Sequence, residues 1–98
     1  MNIIVKPYKK LIKDFKKSKL SLDEVRKILN ALEVPENLKK AEKIGFLKST
    51  WKLIFGDYRL FCYIKGNIIV PYAYRKRGTA YKQENSLRDV EKRVENTF

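Results

Sequence analysis

Three runs rich in β-branched and aromatic residues follow one another almost without interruption: Trp51 to Phe55, Tyr58 to Lys65 and Asn67 to Tyr74. Only Gly56-Asp57 and Lys65-Gly66-Asn67 separate them, and both are turn signals. Connections that short have no room for a crossover, so the runs must lie antiparallel as a meander. The rest of the chain has to be arranged around that sheet.

Asn2 to Lys6 reads as a short strand, and Pro7 fits the first turn of a helix, where its missing N–H costs nothing. Tyr8, Leu11, Ile12 and Phe15 then keep helical spacing, while Lys9, Lys10, Lys13, Lys16 and Lys17 fall mostly on the other face. Ser21 and Glu24 form a capping box that opens a second helix, with Val25, Ile28, Leu29 and Leu32 as its apolar stripe and Val34-Pro35 as its stop. Residues 36 to 50 are polar and less periodic, a connection with Ile44, Phe46 and Leu47 tucked beneath it and room for a short strand. Leu87, Val90 and Val94 mark one face of a C-terminal helix over Glu84 to Asn96. The predicted fold is α+β: a single domain over residues 1–98, ordered β-α-α-β-β-β-α, with an antiparallel sheet of about four strands. A chain of 98 residues holds one core and no second domain.

Lysine and arginine outnumber acids by 23 to 11, a net charge of +12, and so much self-repulsion in a small domain points to a polyanionic partner, nucleic acid first. Residues 1 to 20 carry seven lysines against one aspartate, and a second basic cluster, Arg75, Lys76, Arg77 and Lys82, follows the last strand. From these segments Lys9, Lys10, Lys13, Lys76 and Lys82 are the candidate RNA contacts. The plainer reading of the helix lysines is solubility, or the lysine-rich habit of heat-loving organisms. One cysteine rules out an internal disulfide, and the absence of histidine leaves no Cys/His metal site, so no metal or cofactor is expected. Cys62, in an apolar strand, reads as a packing residue. No apolar run is long enough to cross a bilayer and the lysine-rich start lacks a signal-peptide apolar region, so the expected location is cytoplasmic.

Trp51-Lys52-Leu53, Gly56-Asp57-Tyr58-Arg59-Leu60-Phe61, the apolar strand to Tyr74 and the segment Arg75-Lys76-Arg77-Gly78-Thr79-Ala80-Tyr81-Lys82 stand in one order and at one spacing. Together they resemble the RelE/HigB family of type II toxin–antitoxin toxins, within the superfamily that also holds the ParE toxins. The resemblance covers most of the chain. It implies a toxin that enters the ribosomal A site and cuts messenger RNA by attack of a 2′-hydroxyl on the neighbouring phosphate. That chemistry asks for a base, positive charge on the phosphorane-like transition state and an acid for the leaving oxygen. Family members manage it with Arg, Lys and Tyr, so the lack of histidine fits the family and argues against an ordinary stand-alone ribonuclease.

Carried over residue by residue, the resemblance makes Arg59 a bidentate phosphate binder. Arg75 becomes the arginine that stabilises charge and protonates the leaving group, with Arg77 as its close alternative. Tyr81 is the aromatic that stacks on the exposed base or orients the 2′-hydroxyl, and Lys52 binds phosphate or serves as base. Plainer roles stand beside these: Arg59 paired with Asp57 or a helix carboxylate, and the Arg75–Arg77 cluster as simple contacts to ribosomal RNA. The sequence departs from the pattern at Ile54, where many members carry a further cation on the same strand face as Lys52; Lys76 and Lys82 are the nearest substitutes. The resemblance further implies a cognate antitoxin covering the basic surface, with the C-terminal helix as a candidate mobile element. A ParE-like poison of DNA gyrase would share the fold without catalysis, and so would an RNA-binding relic that no longer cuts. Clustering of Arg59, Arg75, Arg77 and Tyr81 near one sheet end favours the ribonuclease.

Overall fold

In the computed structural model, which describes residues 2–79 and 83–97, Gly56 and Gly66 take positive φ angles of 60° and 61°. Glycine reaches that region at little steric cost. Two tight turns therefore join β3 (Thr50–Phe55), β4 (Tyr58–Lys65) and β5 (Ile68–Lys76) into the predicted meander. β5 runs two residues beyond the expected Tyr74, so Arg75 and Lys76 are strand residues with fixed partners.

The sheet has five strands among the described residues, ordered β1-β5-β4-β3-β2, and is mixed. β1 (Ile4–Val5) lies parallel to β5, and β2 (Glu42–Lys43) adds an antiparallel edge on β3. The α+β fold is as expected, with the antiparallel meander extended by the parallel β1 and the short β2 to five strands where about four were expected. The N–H groups of Ile4, Lys6 and Tyr8 donate to the carbonyls of Asn67, Ile69 and Pro71. Alternate residues point away from the ladder, and Pro7 occupies one of those positions, where a missing N–H is equally harmless. The first helix therefore starts not at Pro7 but at Leu11, as α1 (Leu11–Lys17).

Within α1 the buried stripe is Leu11 and Phe15, while Ile12 is 60% exposed. The helix is turned so that Asp14 reaches the edge of β5, where its Oδ2 accepts the Tyr74 N–H at 2.9 Å. A polar anchor thus displaces Ile12 from the core. α2 (Leu22–Ala31) opens on the predicted capping box: the Ser21 hydroxyl accepts the Glu24 N–H, and the Glu24 carboxylate accepts the Ser21 N–H. Those bonds from Ser21 hold the Glu24 carboxyl below its ordinary pKa. Val34-Pro35 ends α2 as expected, but Pro35 also starts a helix of its own, α3 (Pro35–Lys39), because proline suits a first helical position.

Helices cover both faces of the sheet. Under α1 and α2, Leu11, Phe15, Ile28 and Leu32 pack on Leu53, Leu60, Cys62, Ile69 and Tyr74. Under α4 (Glu84–Glu95), Leu87 and Val94 pack on Phe61, Tyr63, Val70, Tyr72 and Ala73. This double covering explains why Leu60 to Tyr63 reads as an unbroken apolar run instead of an alternating one. Cys62 is buried in it, its thiol pushed well above the ordinary range by desolvation. Among the described residues no helix is long and apolar enough to cross a membrane.

α4 has a polar fastening as well. Buried Glu91 accepts the backbone N–H groups of Lys48 and Ser49 and the Thr50 hydroxyl. Thr50 in turn accepts a bond from the Tyr72 hydroxyl at 2.8 Å. Three donors offset the desolvation of the carboxylate and tie the helix to the start of β3. Its narrow apolar stripe is only part of what holds it.

Candidate functional site at the basic end of the sheet

Alternation along β5 is broken once, between the pairs Phe61↔Ala73 and Cys62↔Pro71, leaving Tyr72 as the extra residue of a bulge. Tyr72 and Ala73 both face α4, so beyond the bulge the phase is reversed: Tyr74 turns toward α1 and Arg75 toward the α4 side. Arg75 thereby lands opposite Arg59, which alternates with Phe61 and Tyr63 on that same face. Without the extra residue the two arginines would project from opposite faces. Across β4, Arg59 pairs with Ile54, so one cross-strand row reads Ile54, Arg59, Arg75. Lys52 stands two rows away, opposite Phe61.

Neighbours in such a row are roughly 4.5–5.5 Å apart at Cα, and like charges directly opposite destabilise a sheet. Each guanidinium is held by acceptors that ease the repulsion. Nη1 of Arg59 donates to the carbonyls of Gly56 and Tyr58, both at 3.0 Å, so its own hairpin orients it and not the carboxylate of Asp57. Nε of Arg75 lies 3.3 Å from Asp14 Oδ2, and its Nη1 donates to Gln83 Oε1. Arg75 is thus strung between α1 and the start of α4. The register sets the two arginines side by side on the backbone, and a guanidinium fork is suited to the oxygens of a phosphate.

The other predicted residues are spread around this row. Lys52 is ion-paired with Glu42 at 3.4 Å across the β2–β3 edge. Ile54 is 55% exposed, an apolar side chain beside Arg59. Lys76 does not substitute for a cation there: it pairs with Tyr58 and stands on the opposite face. Arg77 is exposed just past β5, its N–H donating to the Asp57 carbonyl at 2.6 Å. Lys9, Lys10 and Lys13 are exposed on α1 and the turn before it. Tyr81 and Lys82 lie outside the described residues. Among the described residues no group of His, Cys, Asp and Glu is arranged to hold a metal ion.

On the far side of Arg75 an open cleft of about 980 Å³ runs between the C-terminal end of α1, the sheet end and the first turn of α4. Lys17, Tyr58, Tyr74, Arg75, Lys76 and Gln83 contribute to its walls. Tyr58 and Tyr74 stack with ring centroids 4.8 Å apart and planes 3° from parallel. They are diagonal neighbours, since Tyr58 pairs with Lys76 and Tyr74 sits two residues before it. Burial, and then the adjacent Tyr58, push the Tyr74 hydroxyl above its ordinary pKa. From the sequence, most of the strand tyrosines read as packing residues with only some able to stack on RNA, and Lys17 is one of several lysines on the outer face of the first helix. The pairing of Tyr58 with Tyr74 follows from the strand register beyond the bulge, which neither strand displays alone.

No protein-family model matches the sequence, and the curated proteins provide no significant match. Solved structures do match the fold. The E. coli toxin RelE, in the free state and with two arginines replaced by alanine, superposes with a TM-score of 0.64 at 12% identity, over 92% of this chain and 99% of that one. RelE-RelB complexes give similar values. The one from Methanococcus jannaschii has a TM-score of 0.57 at 17% identity over 82% and 96% of the two chains. The one from Pyrococcus horikoshii OT3 has 0.55 at 21% identity over 80% and 98%. The fold is that of RelE.

Proposed function

We propose that this chain is a RelE-type toxin of a type II toxin–antitoxin system that cuts messenger RNA on the ribosome, in the cytoplasm. The observation that carries the reading is the opposed pair Arg59 and Arg75 at the end of a RelE-fold sheet, reached through the bulge at Tyr72. The 2′-oxygen bonds to the adjacent phosphorus as the bond to the 5′-oxygen breaks, leaving a 2′,3′-cyclic phosphate and a free 5′-hydroxyl. Arg59 and Arg75 take up the charge that develops on the non-bridging oxygens, in an orientation set before the substrate arrives. Arg75 or Arg77 gives the departing 5′-oxygen the proton that makes it a hydroxyl. The 2′-proton passes to Tyr81, or to Lys52 where that amine is neutral; as the ammonium paired with Glu42, Lys52 instead adds positive charge two rows away. No metal or cofactor enters the scheme.

A cognate antitoxin follows from the same reading. Two of the structural neighbours are RelE-RelB complexes, and an acidic segment would complement a net charge of +12. One observation favours binding without cleavage: exposed, apolar Ile54 stands where a further cation would complete the arginine row. Primer extension on messenger RNA in purified translating ribosomes decides between them, with ribosome-free RNA and the Arg59→Ala and Arg75→Ala variants alongside. Cuts at A-site codons that need ribosomes and fade in both variants are the expected result; ribosome binding with intact messenger RNA would overturn cleavage.

A further inference from the structure

We infer that the cleft between α1 and the start of α4 is a nucleotide subsite, taking the single-stranded RNA residue next to the phosphate held by Arg59 and Arg75; this rests on the cleavage reading for what lies beside it. At about 980 Å³ the cleft is at the upper end of the range for small-ligand sites, with room for a nucleotide and part of its neighbour. Its charge balance selects an anion. Of the two acids in its walls, Asp14 is committed to Arg75 and the Tyr74 N–H, and Glu84 is paired with Arg88 at 2.6 Å. With Arg75 offset by Asp14, Lys17 and Lys76 supply the positive charge of the cleft.

Its aromatic wall selects a flat ligand. The parallel Tyr58–Tyr74 stack presents half-buried Tyr58 to the cleft, and Phe15, tilted 59° against Tyr74, backs the pair from the core. A base joining this stack would have its phosphate within reach of Lys17 on α1 and Lys76 at the end of β5. Arg75 belongs to both the arginine row and the cleft, so a strand of RNA crossing the sheet end passes from one to the other around that side chain. Tyrosine platforms flanked by lysines hold single strands in this manner without reading sequence.

The test is direct binding of a short single-stranded RNA carrying 2-aminopurine and 2′-O-methyl groups, which prevent its being cut. The variants are Tyr58→Leu, Lys17→Glu and, as a control of equal charge change, Lys39→Glu on α3 at the opposite edge of the sheet. The wild type should quench 2-aminopurine emission as the base stacks. Lys17→Glu and Tyr58→Leu should weaken binding by about fivefold or more, and Tyr58→Leu should also lose the quench. Lys39→Glu should stay within about twofold, since distant exposed charges are screened. Equal losses from Lys17→Glu and Lys39→Glu, or emission that never quenches, would overturn the subsite. Ribosomal cleavage separates the two claims. Cuts that need Arg59 and Arg75, with RNA binding indifferent to Lys17 and Tyr58, would leave the cleavage reading and remove the cleft; the reverse pattern would keep the cleft and remove cleavage.

Discussion

The middle and the end of the β4–β5 pair are built from the same two strands and do opposite things. In the middle, Leu60, Cys62 and Ile69 are buried under α1 and α2 while Phe61, Tyr63 and Val70 are buried under α4, so each residue packs against a helix. At the end, the row beyond Leu60 and Tyr74 sets Arg59 against Arg75, and the next sets Tyr58 against Lys76. A cross-strand pair of like charges weakens the sheet. One register step therefore separates residues that hold the molecule together from a pair of like charges, each held by its own acceptors, to which we assign the phosphate.

The largest effect should come from the middle. Leu60→Ala removes a fully buried side chain and should cost about 2–5 kcal/mol in chemical denaturation. Loss of cleavage from this variant should track the unfolded fraction alone. At the end, Arg59→Ala or Arg75→Ala should lower single-turnover cleavage on ribosomes by about 100-fold. Thermal stability should hold or rise in Arg59→Ala, because a like-charge contact has gone; in Arg75→Ala the lost bonds to Asp14 and Gln83 offset that gain. Glu91→Ala leaves the Lys48 and Ser49 N–H groups without their acceptor and should cost about 2 kcal/mol, read by denaturation. Ile54→Lys, which extends the arginine row by one cation, should raise cleavage about tenfold in the same assay. The smallest effect is at the capping box. Glu24 has its pKa lowered from 4.5 in the folded chain, so its contribution is complete above pH 4.5 and fades as pH falls through the depressed value. Ser21→Ala should thus differ most from wild type at neutral pH, and the gap should narrow in acid unfolding.

How legible these features were in the sequence depends on how local their causes are. Gly56 and Gly66 mark their turns through backbone geometry that neighbouring residues share, and Tyr58 to Lys65 forms the predicted strand. Ser21 and Glu24 reach only three residues, so their box could be read directly. Pro7 was ambiguous because a first helical turn and an edge strand tolerate its missing N–H equally. Ile12 looked apolar and periodic, yet Asp14 outweighs it by satisfying a strand N–H 60 residues away. The face of Arg75 depends on the bulge at Tyr72, a matter of register between strands that no single run of residues displays. The stacking of Tyr58 on Tyr74 has the same origin. The resemblance nonetheless named Arg59 and Arg75, because the residues flanking them are distinctive even where their orientation is not.

The claim that the opposed arginines act as one clamp on a single phosphate is tested most directly by a double-mutant cycle in single-turnover cleavage on translating ribosomes. Arg59→Ala, Arg75→Ala and the double variant would be compared with wild type. A shared phosphate predicts that the double variant falls little below the weaker single variant, since removing either guanidinium already breaks the clamp. A loss in the double variant equal to the product of the two single losses, or no loss in either single variant, would contradict it.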